Sequence, residues 1–284
     1  MLKKSVFFTV VYPKALPYFE DVCESALNQT NSDFDFLVVN DGCDSIVLKK
    51  LLTGLDYTIL NAVGSPSENR QQGINFARTF GYQYILFCDA DDTFVPKRHK
   101  KTILEFEQTG ADIIVSNLNV VDVNLKPIIK DYFSKELPDN QWIDGDFIKE
   151  KNIFGMSNTA LRLDKLKNNV AIPETPIADW LLFSILLNKG LKAKYINDSL
   201  VNYRQYENNL IGINRFDLDS FKRLAKLKYN HYKLLVDCGF SQYKKLLSDT
   251  EELLFFSDKS IEKIINSQML IHEQPLWWQI ISKV

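Results

Sequence analysis

Three carboxylates fall within four residues at Asp89-Ala90-Asp91-Asp92, directly after the apolar run Tyr84-Ile85-Leu86-Phe87-Cys88. Carboxylates packed this closely repel one another unless a cation or donor groups hold them. Hard divalent cations choose oxygen ligands, so the segment has the chemistry of a Mg²⁺ or Mn²⁺ site. Read alone, it is equally a strand followed by an acidic turn and a helix cap. Two more acids stand in similar places. Asp41 follows Val38-Val39-Asn40 and precedes Gly42; an acid there can accept hydrogen bonds from a base or ribose, and the glycine lets backbone approach a ligand. Its plainer reading is a strand–turn–helix junction with Asp44 or Ser45 as N-cap. Asp179 opens the apolar stretch Ala178-Asp179-Trp180-Leu181-Leu182 after Pro173-Glu174-Thr175-Pro176. A helix dipole at that position favours the charged form and lowers its pKa, so the residue is a simple cap or a general base. In the segment 69–78, Gly73 and Ala77 allow close packing under a ligand and Arg70 or Arg78 can meet a phosphate. An ordinary amphipathic helix with a solvated basic face would look the same.

The elements that must position these groups alternate along the first half. Strands are expected at Ser5–Val11, Phe34–Asn40, 57–62, 84–88 and 112–116. Helices are expected at 14–29, with Leu16, Phe19, Cys23 and Leu27 on one face, at 67–80, with Ser67 as N-cap and Gly81 as stop, and at 96–109, closed by Gly110. Strand–helix alternation with apolar strands predicts a mostly parallel α/β sheet. Ligands on such sheets bind outside the carboxyl ends of the strands, where Asp41 and Asp89 fall. Beyond Asn117 the pattern predicts a hairpin of 119–123 and 127–130 around Asn124, a short helix at 144–151, an irregular 154–158, a buried helix at 178–189, and two short strands at 192–196 and 200–203. Three helices follow, at 222–236, 241–256 and 261–267. The pattern divides the chain into an α/β unit, 1–213, and a helical extension, 214–284, with the boundary near 208–215.

A net charge of −2 gives no electrostatic footprint for nucleic acid. Cys23, Cys43, Cys88 and Cys238 are far apart, which speaks against zinc and disulfide frameworks and fits a reducing compartment. The basic start and apolar run at the N-terminus resemble a signal peptide, but the run is short, β-branched and closed by Tyr12-Pro13, so a first buried strand is expected.

Taken in order, these pieces resemble the family 2 inverting glycosyltransferases of the bacterial polysaccharide and lipopolysaccharide type. The resemblance spans roughly residues 3–212. It is carried by Thr9-Val10-Val11-Tyr12, Val39-Asn40-Asp41-Gly42-Cys43-Asp44-Ser45, Gly73-Ile74-Asn75-Phe76-Ala77-Arg78, Asp89-Ala90-Asp91-Asp92, Asp179-Trp180 and Tyr203-Arg204-Gln205-Tyr206. It implies a GT-A nucleotide-diphospho-sugar transferase fold with a Rossmann-like sheet and the C-terminal helices as an extension. The nucleotide-sugar, a UDP-sugar first among them, would be held by Thr9, Val11, Tyr12, Asp41, Arg70, Gly73, Asp89, Ala90, Asp91 and Arg204. Asp41 would hold the base, Asp91 with Asp89 a Mn²⁺ or Mg²⁺ ion on the diphosphate, and Asp179 would deprotonate the acceptor hydroxyl. The acceptor implied is a glycan or lipid-linked glycan, and the location cytoplasmic, with peripheral contact at the inner face of the cell membrane. Three positions depart from the family pattern: Tyr206 stands where a His is common, Thr79 where Asn is usual, and Ala178 where a Glu often precedes the Asp.

Rival readings exist. Asp89-Ala90-Asp91-Asp92-Thr93 after an apolar strand also looks like the nucleophile motif of haloacid-dehalogenase-type phosphatases, with Asp144-Gly145-Asp146 as the later acids. A catalytically silent nucleotide-sugar-binding protein on the same fold is the alternative from another class, and a sugar-nucleotide pyrophosphorylase is weaker, because Tyr12-Pro13-Lys14-Ala15 lacks its glycine-rich loop. Trp142 is expected in the core, and the segment 131–143 with 154–158 on the acceptor side. The tail's Trp277-Trp278 pair fits a membrane interface, or packing on the catalytic unit or on a homodimer partner.

Overall fold

The structure, a computed structural model, describes residues 3–206, 217–271 and 275–281. The expected boundary at 208–215 lies outside the described residues. Ten strands form one sheet: β1 (Ser5–Val11), β2 (Phe34–Asn40), β3 (Tyr57–Asn61), β4 (Tyr84–Phe87), β5 (Thr93–Phe94), β6 (Ile113–Val121), β7 (Pro127–Ile129), β8 (Trp142–Ile143), β9 (Thr159–Arg162) and β10 (Ala193–Arg204). The order is β3-β2-β1-β4-β9-β6-β10-β5, with β7 beside β6 and β8 beside β10. β3, β2, β1 and β4 are parallel, as are β6 and β10. β1 and β4 are buried on both faces, which is why they read as unbroken apolar runs, while β3 on the edge is half exposed.

Three strands had no periodic signal. β9 lies antiparallel between β4 and β6, and β5 and β8 are two residues long each. The two strands expected at 192–196 and 200–203 are one, β10, whose pairing with β6 shifts register on either side of Ser199. The hairpin of β6 and β7 is present. The expected helix at 144–151 is only a single tight turn, Phe147–Lys149.

The helices are α1 (Phe19–Leu27), α2 (Ser45–Leu51), α3 (Pro66–Phe80), α4 (Arg98–Thr109), α5 (Ala178–Asn188), α6 (Leu218–Asp237), α7 (Lys244–Leu253) and α8 (Asp258–Ile271). α1 is preceded by a separate tight turn at Leu16–Tyr18, and Leu27, expected on the buried face, is exposed. The cap of α3 is Ser65, not Ser67. Ser65 accepts from the Glu68 N–H while the Glu68 carboxylate accepts from the Ser65 N–H, a reciprocal capping box. Ser67 is instead buried and exchanges hydrogen bonds with the Thr175 backbone.

One apolar cluster runs through the sheet and continues into Phe221, Leu224, Ile261, Ile264, Trp277 and Trp278. A smaller one, including Leu181, Ile185, Tyr232 and Leu235, joins α5 to α6. The C-terminal helices thus share the core of the sheet.

Candidate functional site

β1, β2 and β4 run side by side in the same direction, with Val11 opposite Asn40 and Phe8 opposite Phe87. Their carboxyl ends therefore deliver Tyr12, Asp41 and Asp89 to one edge of the sheet. β10 ends at Arg204 near the same edge and brings Tyr206. Between them lies a cavity of about 720 Å³, lined by Tyr12, Asp41, Arg70 and the whole 89–92 loop, with Glu174, Pro176, Tyr203 and Tyr206 opposite. Asp44 caps α2 by accepting from the Ile46 and Val47 N–H groups, as the strand–turn–helix reading of this junction expected, and Asp41 lines the cavity.

The three loop acids are not equivalent. Asp92 is buried and turned inward, accepting from the Arg204 N–H at 2.7 Å and from the Ser157 hydroxyl. Burial, with Asp91 and Asp89 beside it, pushes its carboxyl well above the usual range. Asp89 lines the cavity, has Arg70 Nη2 at 3.8 Å, and is raised by burial. Asp91 also faces the cavity. Burial and the neighbouring Asp89 push it up to about 6, while a 2.8 Å hydrogen bond from the Tyr206 hydroxyl pulls the other way. Tyr12, across the cavity, is pushed up to about 12 by burial and then by Asp91 and Asp89. The mouth of the sheet therefore concentrates negative charge at two carboxylates open to solvent, a donor set of the hard-oxygen kind.

A smaller chamber of about 180 Å³ adjoins this cavity and shares Arg70, Asp89, Pro176 and Tyr203 with it. Asp179 lines the small chamber from the first turn of α5. The cap position is Ile177 and makes no side-chain cap, so Asp179 is not serving as one. Burial pushes its carboxyl up to about 6. The expectation from the helix dipole was a lowered value; desolvation beside the buried Ala178 and Trp180 outweighs it. The Asn152 amide lies 3.4 Å from Asp179 Oδ2. Polar residues of α3 hold the segment leading to Asp179 in place. Asn75 pairs with the Val170 backbone through two hydrogen bonds, Gln71 accepts from the Ile172 N–H, and Ser67 meets Thr175.

Residues 7–168 match the model of the glycosyl transferase family 2. The chain belongs to that family. It is 28% identical over 145 residues to an uncharacterized glycosyltransferase of Methanocaldococcus jannaschii, a match covering 44% of this chain and 49% of the relative; the chain thus spans about half the length of that curated protein. In fold it is similar to residues 1–349 of Staphylococcus aureus TarS, solved in complex with UDP-GlcNAc, at a TM-score of 0.63 and 15% identity, covering 96% of this chain and 82% of that one. It is also similar to the mannosyltransferase PcManGT of Pyrobaculum calidifontis, in complex with GDP-Man and Mn²⁺, at a TM-score of 0.58 and 10% identity, covering 95% and 75%. The architecture is that of the GT-A glycosyltransferases.

Set on this family 2 fold, the expected residues divide into two groups. Tyr12, Asp41, Arg70, Asp89, Ala90, Asp91 and Arg204 line the large cavity and Asp179 the small chamber. Val11 is fully buried and away from both; Thr9 borders only a small void below. Gly73 supports β1 instead of meeting a ligand, since an added Cβ there would sit 2.1 Å from the Phe8 ring. Arg78 donates to Leu166 O, Lys167 O and Asn169, well occupied away from any phosphate. Arg204 reaches the cavity, yet its guanidinium is committed to Asp91 O at 2.7 Å, Val123 O and Asp21 at 2.6 Å, with the Tyr18 ring beneath it. It clamps the acidic loop to β10 and α1. Trp142, expected in the core, is 51% exposed and pairs with Lys194 at the amino end of β10, the opposite end from the site. The phosphatase reading fails on the same geometry, because Asp144 and Asp146 follow β8 at that far end. Of the irregular loop, Gly155 and Met156 do line the chamber. Tyr203 was carried only as part of its motif, Ser157 only as part of the 154–158 loop, and the Trp277–Trp278 pair only as a packing or membrane surface; Asn152 was missed. Their signals are side-chain contacts across long sequence separations, which spacing along the chain does not display.

Proposed function

We propose that the protein transfers a sugar from a nucleotide-diphospho-sugar, a UDP-sugar first among candidates, to a hydroxyl of a glycan or lipid-linked glycan, with inversion. The observation that carries this is the junction of the two chambers: an acidic cavity with Asp41, Asp89 and Asp91 opens through a shared wall onto a carboxylate whose pKa of about 6 suits a general base. Asp41 accepts hydrogen bonds from the nucleoside, with Gly42, at φ +87°, allowing the chain to turn beside it. Arg70 lies between the chambers, where it can neutralise diphosphate oxygens as the bond to the anomeric carbon breaks. Asp179 takes the acceptor proton as the hydroxyl attacks the opposite face, in one displacement.

The donor set fits a Mn²⁺ or Mg²⁺ ion. Among the described residues no three His, Cys, Asp or Glu side chains converge on one point, so Asp91 and Asp89 would hold the ion together with donor phosphate and water, which hard cations accept. When bound, it neutralises charge on the leaving diphosphate. The Tyr206 hydroxyl on Asp91 stands where the family often has a ligating His, and orients the carboxylate instead.

The test is a thermal-shift panel of nucleotide-sugars with and without Mn²⁺. A donor at a hundredfold its Kd should stabilise the chain by about 2.7 kcal/mol, only with metal, and the effect should vanish in Asp91→Ala. No shift with any nucleotide-sugar, or an undiminished shift in the variant, would overturn the reading.

A further inference from the structure

The small chamber is walled by a part of the chain that the family match, ending at residue 168, does not reach. Trp277 and Trp278, both largely buried, line it together with Asp179, Gly155, Met156 and Tyr203. The segment is latched at several points. Asn152 N–H donates to Trp277 O at 2.8 Å in an isolated antiparallel bridge. The Tyr132 hydroxyl donates to Pro275 O at 3.1 Å. The buried Lys228 amino group donates to the carbonyls of Glu150, Trp278 and Ile281, partners that a polar group needs once buried, while burial pushes its pKa down to about 7.

The two rings are set by neighbours that are themselves part of the site. Trp278 stacks on Trp180, the residue after Asp179, with centroids 5.1 Å apart and planes at 23°. Trp277 packs among Phe133, Tyr132 and Tyr203, the last of which also lines the large cavity. A Cβ on Gly155 would stand 3.2 Å from the Trp277 ring, so the glycine permits the close approach. Trp278 holds φ +71°, in the left-handed region that a bulky residue seldom adopts and that clusters at functional positions. Asn152 joins the two functions directly, since its backbone holds Trp277 and its amide lies on Asp179.

We propose that the latched segment 275–281 is the acceptor-selecting wall of this enzyme, resting on the transfer reading above. Trp277 and Trp278 present aromatic surface to the apolar face of a pyranose ring whose hydroxyl points at Asp179. The acceptor class that follows is a pyranoside, in preference to a flexible alcohol or a serine side chain, because a rigid ring with one apolar face matches an aromatic wall. Lys228 is a positioning residue that holds the wall closed.

The experiment uses the full chain as wild type, Trp277→Leu and Gly155→Ala. Donor-site integrity is read as UDP binding in Mn²⁺; acceptor use is read as KM for a panel of p-nitrophenyl hexopyranosides, against simple alcohols and transfer to water. The expected result is unchanged UDP affinity, with pyranoside KM raised about tenfold in Trp277→Leu and by less in Gly155→Ala. Gly155→Ala sets a Cβ 3.0 Å from Asn158 Oδ1 and 3.2 Å from the Trp277 ring, a smaller disturbance that keeps the test open if Trp277→Leu fails to fold. Unchanged pyranoside KM, or a parallel loss of UDP affinity and acceptor use, overturns the assignment of the wall. A wild type that uses alcohols as well as pyranosides overturns the acceptor class. A wild type that neither binds any nucleoside diphosphate of the panel with Mn²⁺ nor transfers from any nucleotide-sugar overturns the transfer reading itself, a failure distinct from that of the wall.

Discussion

Replacing Asp179 by Asn should make the protein more stable and nearly inactive at once. Burial raises the Asp179 carboxyl from 3.8 to about 6. Each pKa unit is about 1.36 kcal/mol, so a shift of roughly two units bounds the cost of ionising it in the fold at about 3 kcal/mol. Part of the side chain meets the solvent of the chamber, and screening reduces the figure to about 1–2 kcal/mol. A carboxyl raised on folding favours the native state fully below its unfolded pKa, and that contribution is lost as pH rises through about 6. The amide, which never ionises, keeps it. At about pH 8 the variant should therefore melt roughly 2–6 °C above wild type, and the gap should close as pH falls from about 6 toward 4. Over the same range, acceptor-dependent release of nucleoside diphosphate should drop about 10²–10⁴-fold, the usual worth of a general base, with donor-induced thermal stabilisation unchanged. Paired melts across pH, with initial rates on the same samples, decide it. Equal melting temperatures at high pH would refute the raised pKa; undiminished transfer would remove Asp179 from the base role.

Other outcomes follow from particular contacts. Wild-type kcat/KM should fall below about pH 6, where both Asp179 and Asp91 take up protons, and Arg70→Met, which removes a positive charge that lowers Asp179, should move the Asp179 limb to higher pH while weakening donor binding. Gly73→Ala forces a Cβ against the Phe8 ring and should cost about 1–3 kcal/mol by overpacking, seen as a lower melting temperature with little change in donor affinity. Arg204→Lys replaces a fork spanning Asp91 O, Val123 O and Asp21 by a single ammonium; melting temperature and donor-induced stabilisation should fall together, whereas loss of donor binding alone would return Arg204 to the diphosphate.

The parallel half of the fold was legible because strands buried on both faces write themselves as unbroken apolar runs, with an acid next in sequence at the carboxyl ends of β2 and β4. Asp41, Asp89 and Asp91, read that way, line one cavity. β9 was not, since four residues inserted antiparallel between β4 and β6 leave no period to detect. Trp142 was misplaced because an aromatic residue in a two-residue strand carries no sign of which end of the sheet it joins. Arg204 was legible as a site residue but not as a clamp, because its partners lie at Asp21, Asp91 and Val123.

Sequence by itself determined the order of strands and helices, the acids at their ends, and the family to which that order points. Those are properties of neighbours along the chain, where side-chain type and spacing act directly. Tertiary structure alone decided which way Asp179 titrates, which of the three aspartates of the 89–92 loop turns inward, and that Trp277 and Trp278 come to line one chamber with Asp179. These depend on desolvation and on contacts between segments up to more than a hundred residues apart, and such terms exist only once the chain has folded.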